Sequence, residues 1–300
     1  MKSNPRTLLR ACWSPLVNHA AQVYAAGPEL ADALRVCASM SRQGMASTIG
    51  YWNRQGEQPR QVADIYLAAL DALSREGLDC YLSIKAWSLG FADDLLAEVL
   101  GHGKRGGIGI HFDSRGPETA DQTFSLISAL LPRSPQLSCT IPGRWRRSLR
   151  DADVAVELGL GVRVVKGEWG DLDEPDDLDL RAGFLALVDR LAGRARHVAV
   201  ATHDPALARE ALRRLHDART PCSLELLFGF PVRPGLRVAR AAGVPVRLYV
   251  PYGQAGLPYQ LTQARQDPRV CWWFCRDLLL GPSFRLPGAG LAPFSRPFNR

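Results

Sequence analysis

The stretch VRVVKGEW (residues 162–169) decides the reading of the fold. It is a short run of β-branched residues that ends on a lysine and a glycine. Three further stretches repeat the pattern: LSIKAW (82–87), VAVATHD (198–204) and VRLYVPYG (246–253). A buried parallel strand is apolar almost throughout. Four such runs that end in Lys, Arg, His or Tyr therefore aim those ends at a shared site. In a (β/α)8 barrel the site is built at the C-terminal ends of the strands.

Outward from these four runs, a short apolar segment followed by a longer amphipathic one recurs eight times. Strands are expected near 46–52, 80–86, 107–112, 136–141, 162–166, 197–202, 221–228 and 245–250. Helices are expected near 58–76, 91–102, 118–132, 148–158, 178–193, 204–217, 232–242 and 256–266. Strand–helix alternation gives a parallel sheet with helices outside, and eight units close into a barrel. A doubly wound open sheet is the rival, but no G-x-G-x-x-G loop follows an early strand. The fold class is thus α/β, a TIM-type (β/α)8 barrel over 45–280. A helical segment, 1–44, precedes it, with helical stretches in LLRACWSPLVNHAAQVY and PELADALRVCASMSRQG. A Pro/Gly-rich tail, 281–300, follows. The acidic stretch GDLDEPDDLDL (170–180) reads as a solvated loop after the fifth strand, or as a lid over the site.

The chain has 300 residues and is 46% hydrophobic, enough for one large core. No run of about 18 apolar residues indicates a transmembrane helix, and the basic N-terminus lacks the apolar region of a secretory signal. Seven scattered cysteines fit a reducing cytoplasm. Cys271 and Cys275 share helical spacing in VCWWFCRDLLL but lack further metal ligands nearby. The net charge of +7 is spread along the chain without a nucleic-acid motif, so nucleic-acid binding is not expected. Of 37 basic residues only Lys2, Lys85, Lys104 and Lys166 are lysine. Against that arginine background, lysines at two strand ends stand out, because Lys can lose its proton and Arg cannot.

Lys166 can be read as a Schiff-base lysine, as a fixed cation for a phosphate or cofactor carbonyl, or as a side chain reaching out of a strand end. In an ideal strand Arg163 and Lys166 lie on opposite faces. Both reach the interior only if the strand bends or ends between them, which Gly167 permits. His203 precedes Asp204, a helix N-cap candidate, and can bind a ligand or be satisfied locally. Tyr249, Tyr252 and Tyr259 cluster around Pro251 and Gly253, where packing is the commoner use of tyrosine.

Taken in order, KAWSLG, VRVVKGEW, ATHD, ELLFGF and VRLYVPYGQAGLPYQL resemble the proline dehydrogenase barrel, from about Gly50 to Leu280. The resemblance implies an FAD-dependent (β/α)8 enzyme that oxidises the C–N bond of proline and passes electrons to a quinone. It implies flavin contacts at Arg163, Lys166, Gly167, Thr202 and His203. It implies substrate-side roles for Lys85, Tyr249 and Tyr259. An acidic residue of the family's third strand falls near Asp113, with His111 in the closer aligned position.

Departures from the family are specific. Where the family carries an adjacent Arg-Arg pair on its last barrel helix, YQLTQAR places Thr262 and Gln263. Loss of that bidentate clamp removes several kcal/mol of carboxylate binding, at roughly 1.5–3 kcal/mol per charged hydrogen bond. Arg265, one turn from Thr262, is placed to compensate in part. Pro142 replaces a family Gln, Glu225 replaces another Gln, and Ser223 replaces a Glu. The implied substrate is proline, or a proline-like amine whose acid group is altered, masked or held differently. Two alternatives stand beside it: a non-catalytic barrel with a binding or regulatory role, and a Schiff-base lyase using Lys166. The expected location is the cytoplasm, with peripheral membrane contact compatible with a quinone acceptor.

Overall fold

Helix α1 (Leu30–Ser41) leads into strand β1 (Ala46–Trp52), and from there strand and helix alternate. A computed structural model describes residues 25–253, apart from residue 55 and residues 134–135, 172–173 and 175–177. The order continues α2 (Pro59–Glu76), β2 (Cys80–Ile84), α3 (Asp93–Gly106), β3 (Ile110–Phe112), α4 (Ala120–Leu130) and β4 (Leu137–Pro142). It ends α5 (Ser148–Glu157), β5 (Gly161–Val165), α6 (Leu180–Leu191), β6 (His197–Ala201), α7 (Pro205–Asp217), β7 (Cys222–Leu227), α8 (Arg233–Ala242) and β8 (Val246–Gly253). All eight strands are parallel, and β8 pairs with β1 to close the barrel. The expected eighth barrel helix, the first N-terminal helical stretch, Cys271, Cys275 and the tail lie outside the described residues.

Element boundaries moved for local reasons. The third strand starts at Ile110 rather than 107, because Gly107 closes α3 with φ 68° and the chain is still turning there. The eighth strand runs on to Gly253, held by β1 along its whole length from Ala46↔Arg247 to Trp52↔Gly253. The segment entering α1 follows the same edge: Ala26 N–H donates to the Pro251 carbonyl (2.8 Å) and Gly253 N–H to the Gly27 carbonyl (3.0 Å). Helix α1 packs on β1 and β8.

Strand parity divides the protein into two chemistries. Ile49, Leu82, Ile84, Phe112, Ile141, Val164, Val200, Leu226 and Val250 are buried in the shell between sheet and helices. The alternate positions point into the barrel and are largely polar: Thr48, Tyr81, Ser83, His111, Ser138, Thr140, Arg163, Glu225 and Tyr249. Barrel interiors are ordinarily filled with bulky branched apolar side chains. Here the apolar shell supplies the hydrophobic burial and the interior is left for hydrogen bonding.

Candidate active site

Arg163 is the centre of the interior. Its Nε and Nη2 donate to the two carboxylate oxygens of Glu225 at 2.9 and 2.8 Å. Its Nη1 donates to Asp113 Oδ1 at 2.8 Å. The planar fork of a guanidinium matches such a bidentate partner. Burial opposes the positive charge, but Glu225, Tyr81 and Asp113 outweigh it and hold the guanidinium firmly protonated. Glu225 also accepts from Thr48 Oγ1 (3.2 Å) and Tyr81 Oη (3.4 Å), so four strands meet on one carboxylate group. Asp113 follows β3, and its Oδ2 accepts from Tyr249 Oη at 2.9 Å. The Tyr249 ring lies under the guanidinium, 5.0 Å from ring centre to Cζ. A side chain at Gly50 would run into that same Tyr249 hydroxyl, so β1 leaves the space glycine gives.

Lys85 stands at the end of β2, where Asp113 raises its basicity only in part. Its Nζ donates to the Tyr51 carbonyl at 2.8 Å. Burial lowers its pKa to about 8, with Asp113 acting in the other direction. Thus Lys85 and Asp113, just past the ends of β2 and β3, come together with Arg163 and Tyr249, which sit deeper, within β5 and β8.

The β5 parity question resolves through strand termination. The strand stops at Val165, and Gly167 takes φ 103°, a conformation that favours glycine. A Cβ there would stand 2.7 Å from Pro142 Cβ and 2.8 Å from Arg144 Cδ. Arg163 faces inward, and Lys166 turns to the rim, where its charge helps the N–H groups of Ala182 and Arg181 hold Asp179 below the usual carboxylate range. Asp179 and Asp204 cap α6 and α7, so the sequence expectation for Asp204 holds. Thr202 Oγ1 accepts from Asp204 N–H (3.2 Å).

His203 is engaged at both nitrogens. Nε2 accepts from Leu227 N–H (2.9 Å) and Nδ1 faces the Pro231 carbonyl (3.3 Å), which fixes a neutral ring protonated on Nδ1. Burial pushes its pKa down to about 4. His203 therefore offers a ligand its ring rather than a nitrogen. His111 is sealed between Ser138 Oγ (2.8 Å) and Thr140 Oγ1 (2.7 Å), in a pocket that lowers its pKa well below the usual value, first through burial.

The acidic stretch after β5 is tied down at its start. Arg144 donates from Nη1 to the carbonyls of Gly167 and Glu168, at 3.0 Å each, and from Nε to Glu174 Oε2 at 2.8 Å. Trp145 Nε1 donates to the Trp169 carbonyl (2.5 Å), and Asp171 accepts from Arg146 N–H (2.9 Å). Glu168 is driven up to about 7 by burial, against the pull of Arg144.

Reading strand ends alone undervalued Glu225, Thr48, Tyr81 and Thr140. Their signal was polar side chains at alternate positions of otherwise apolar strands. Tyr259, Thr262, Gln263 and Arg265 lie outside the described residues. Among the described residues no group of three or more His, Cys, Asp or Glu comes together to hold a metal.

Lys166 and Thr202 stand at the ends of adjoining strands, and a cation with a hydroxyl there is chemistry compatible with the phosphates of a flavin dinucleotide. The buried Ser83 hydroxyl has no partner among the described residues, and a polar ligand in the barrel would supply one.

No family model matches the chain. It is 25% identical over 275 residues to proline dehydrogenase 1 of Bacillus subtilis subsp. natto, covering 86% of this chain and 90% of that protein. Proline dehydrogenase of Deinococcus radiodurans is 24% identical over 282 residues, covering 87% and 90%. Among solved structures, proline utilization A from Bdellovibrio bacteriovorus, inactivated by N-propargylglycine, superposes with a TM-score of 0.74 at 16% identity. That match covers 97% of this chain but only 38% of the larger one, and it supports the barrel fold. Matched along most of its length to these dehydrogenases at about a quarter identity, and closed into an eight-stranded parallel barrel, the chain resembles a divergent proline dehydrogenase.

Proposed function

We propose that the protein is an FAD-dependent oxidoreductase that oxidises the C–N bond of proline or a proline-like secondary amine. The observation that carries the reading is the meeting of Lys85, Asp113, Arg163 and Tyr249 at the strand ends of a barrel whose curated relatives are proline dehydrogenases. A bound flavin supplies the hydride acceptor at N5. Lys166, Gly167, Thr202 and His203 would hold it on the β5–β6 side of the mouth, with Arg163, pinned by Glu225 and Asp113, beneath it in the barrel. Lys85, Tyr249 and Tyr259 would line the substrate side.

The protein's part is orientation and electrostatics. Tyr249 is fixed by its hydrogen bond to Asp113 and forms a rigid wall for a small ring. Arg163 is matched by the carboxylates of Glu225 and Asp113, so the barrel axis carries a rigid ion-pair network that fixes the groups around a bound ring system. Thr262 and Gln263 in place of an arginine pair make a substrate with an altered or masked acid group a serious candidate beside proline itself. A quinone is the expected electron acceptor. No helix among the described residues is long and apolar enough to cross a membrane, compatible with a cytoplasmic protein that meets a quinone at the membrane surface.

The test is anaerobic mixing of FAD-loaded protein with proline, its amide and ester, and related cyclic amines, following loss of the oxidised-flavin bands and trapping the cyclic imine with an aromatic amino-aldehyde. Bleaching with imine formation supports the reading. Flavin that stays oxidised with every amine refutes amine oxidation.

A further inference from the structure

Two buried thiols meet at the base of the barrel, at the opposite end from the mouth. Cys37 lies on the inward face of α1, with Ala33, Val36 and Met40. Cys80 opens β2 and shares the parity of Leu82 and Ile84, so it faces the shell between sheet and helices. Ser47 of β1 stands beside it in register. Helix α1 packs across β1 and β8. There the Cys37 sulfur shares hydrogen bonds with the Cys80 thiol and the Ser47 hydroxyl. We propose that Cys37 and Cys80 are an oxidative modification site, a dithiol that hydrogen peroxide converts to a disulfide joining α1 to the barrel.

The two thiols are unlike. The hydrogen bond from Cys80 holds Cys37 below the ordinary thiol range against burial, with help from Ser47 and the Arg247 charge. Arg247 is fixed in place by the Ser47 carbonyl and by Asp79 (2.9 Å). Burial, and then Cys37, drive Cys80 well above that range, and its sulfur also faces the Tyr81 carbonyl at 3.6 Å. A thiolate is the nucleophile, so Cys37 attacks and Cys80 resolves. In the first step the Cys37 sulfur bonds to one peroxide oxygen and the O–O bond breaks. The departing hydroxide leaves as water with the proton that Cys37 gave up, and Cys37 becomes a sulfenic acid. In the second step the Cys80 sulfur bonds to the Cys37 sulfur and the S–O bond breaks. The hydroxyl leaves as water with the Cys80 proton. Two thiols and one hydrogen peroxide thus give one disulfide and two waters, with two electrons passing from sulfur to peroxide.

The other described cysteines lack this arrangement. Burial pushes Cys139 up to about 12 and Cys222 up to about 11, and neither meets a second thiol among the described residues. Cys37 and Cys80 are 1% and 6% exposed, so peroxide reaches them when α1 lifts from the sheet. Such an opening is a local unfolding of one element. The disulfide then closes it, tying a helix that starts beside the Gly253 end of β8 to the first residue of β2. In a reducing compartment the dithiol is the resting form and the disulfide a transient, redox-sensing one. Oxidation therefore records the opening of α1 and stops it.

The test treats the full reduced chain with excess hydrogen peroxide, then unfolds it, alkylates the remaining thiols and maps the peptides by mass spectrometry. A Cys37–Cys80 linked pair that dithiothreitol releases is expected, with Cys139 and Cys222 recovered as alkylated thiols. Amide hydrogen exchange along α1 should slow severalfold in the oxidised protein, and its melting temperature should rise. Neither change should appear in Cys80→Ser, where Cys37 stops at a sulfenic acid that dimedone traps. Recovery of both Cys37 and Cys80 as alkylated thiols overturns the proposal. So does Cys37 carried on to a sulfinic acid, or linked to another cysteine, with Cys80 untouched. A Cys37–Cys80 link that leaves α1 exchange unchanged contradicts the lock on the helix. These outcomes are read on the wild-type chain, so they stand even if the serine variant fails to fold, and none depends on a bound flavin or an amine substrate.

Discussion

Glu225 grips Arg163 by both of its oxygens across the barrel, with the two side chains 2% and 5% exposed. The guanidinium is thereby aimed along the axis and cannot swing toward the mouth without leaving a buried carboxylate unpaired. The family resemblance implies a flavin contact for Arg163, and the same resemblance marks Glu225 as a departure.

Breaking this pair from one side is expected to be expensive. Glu225→Leu leaves the Arg163 charge buried beside Asp113 alone and should cost about 3–5 kcal/mol. The double variant Glu225→Leu/Arg163→Met should recover most of that loss. Urea unfolding of the wild type, both single variants and the double variant gives the coupling directly. Additive losses would show that the pair is not coupled.

Acid lability should follow from the buried histidines. His203 and His197 are each pushed down to about 4 by burial, and His111 is lowered in the same direction. Their folded values lie below the ordinary 6.5, so the unfolded chain binds protons first as pH falls. Stability is intact above about 6.5 and is lost progressively toward 4, by up to about 1.4 kcal/mol per pH unit for each residue. His203→Gln should flatten this slope in denaturant titrations at pH 7, 6, 5 and 4. An unchanged slope would mean that His203 is not held neutral by the fold.

Gly167→Ala is expected to destabilise the protein by about 1–3 kcal/mol, because its positive φ strains any other residue and the new methyl meets Pro142 and Arg144. Thermal unfolding reads this. A melting temperature equal to that of the wild type would contradict the tight β5 exit.

Arg144→Ala should release the loop after β5, since it removes the bonds to Gly167, Glu168 and Glu174 together. Trp169 is 44% exposed and offers chymotrypsin a cut site within that loop. Cleavage there should speed up severalfold in the variant. An equal rate would show that Trp145 and Asp171 hold the loop without help.

Much of the fold was legible because apolar runs alternate with amphipathic ones. VRVVKGEW and VRLYVPYG state both the strand and its reactive end. Asp204 announced its own helix cap. The interior network was harder to read. Glu225 in SLELL carries no local sign of its partner, because Arg163 lies 62 residues away and only barrel closure brings them together. His203 shows the other limit: its strand-end position suggested a ligand contact, but a neighbouring strand's N–H and a loop carbonyl claimed both nitrogens. Parity within β5 was undecidable from sequence until the strand was seen to end at Val165.

The most direct test of the central claim is the visible absorption spectrum of the purified protein, recorded with and without added FAD and again after desalting. Oxidised-flavin bands that survive desalting and bleach anaerobically with proline or a proline-like amine are the predicted result. A colourless protein that takes up no FAD would contradict the account and return the weight to a non-catalytic barrel or a Lys166 lyase.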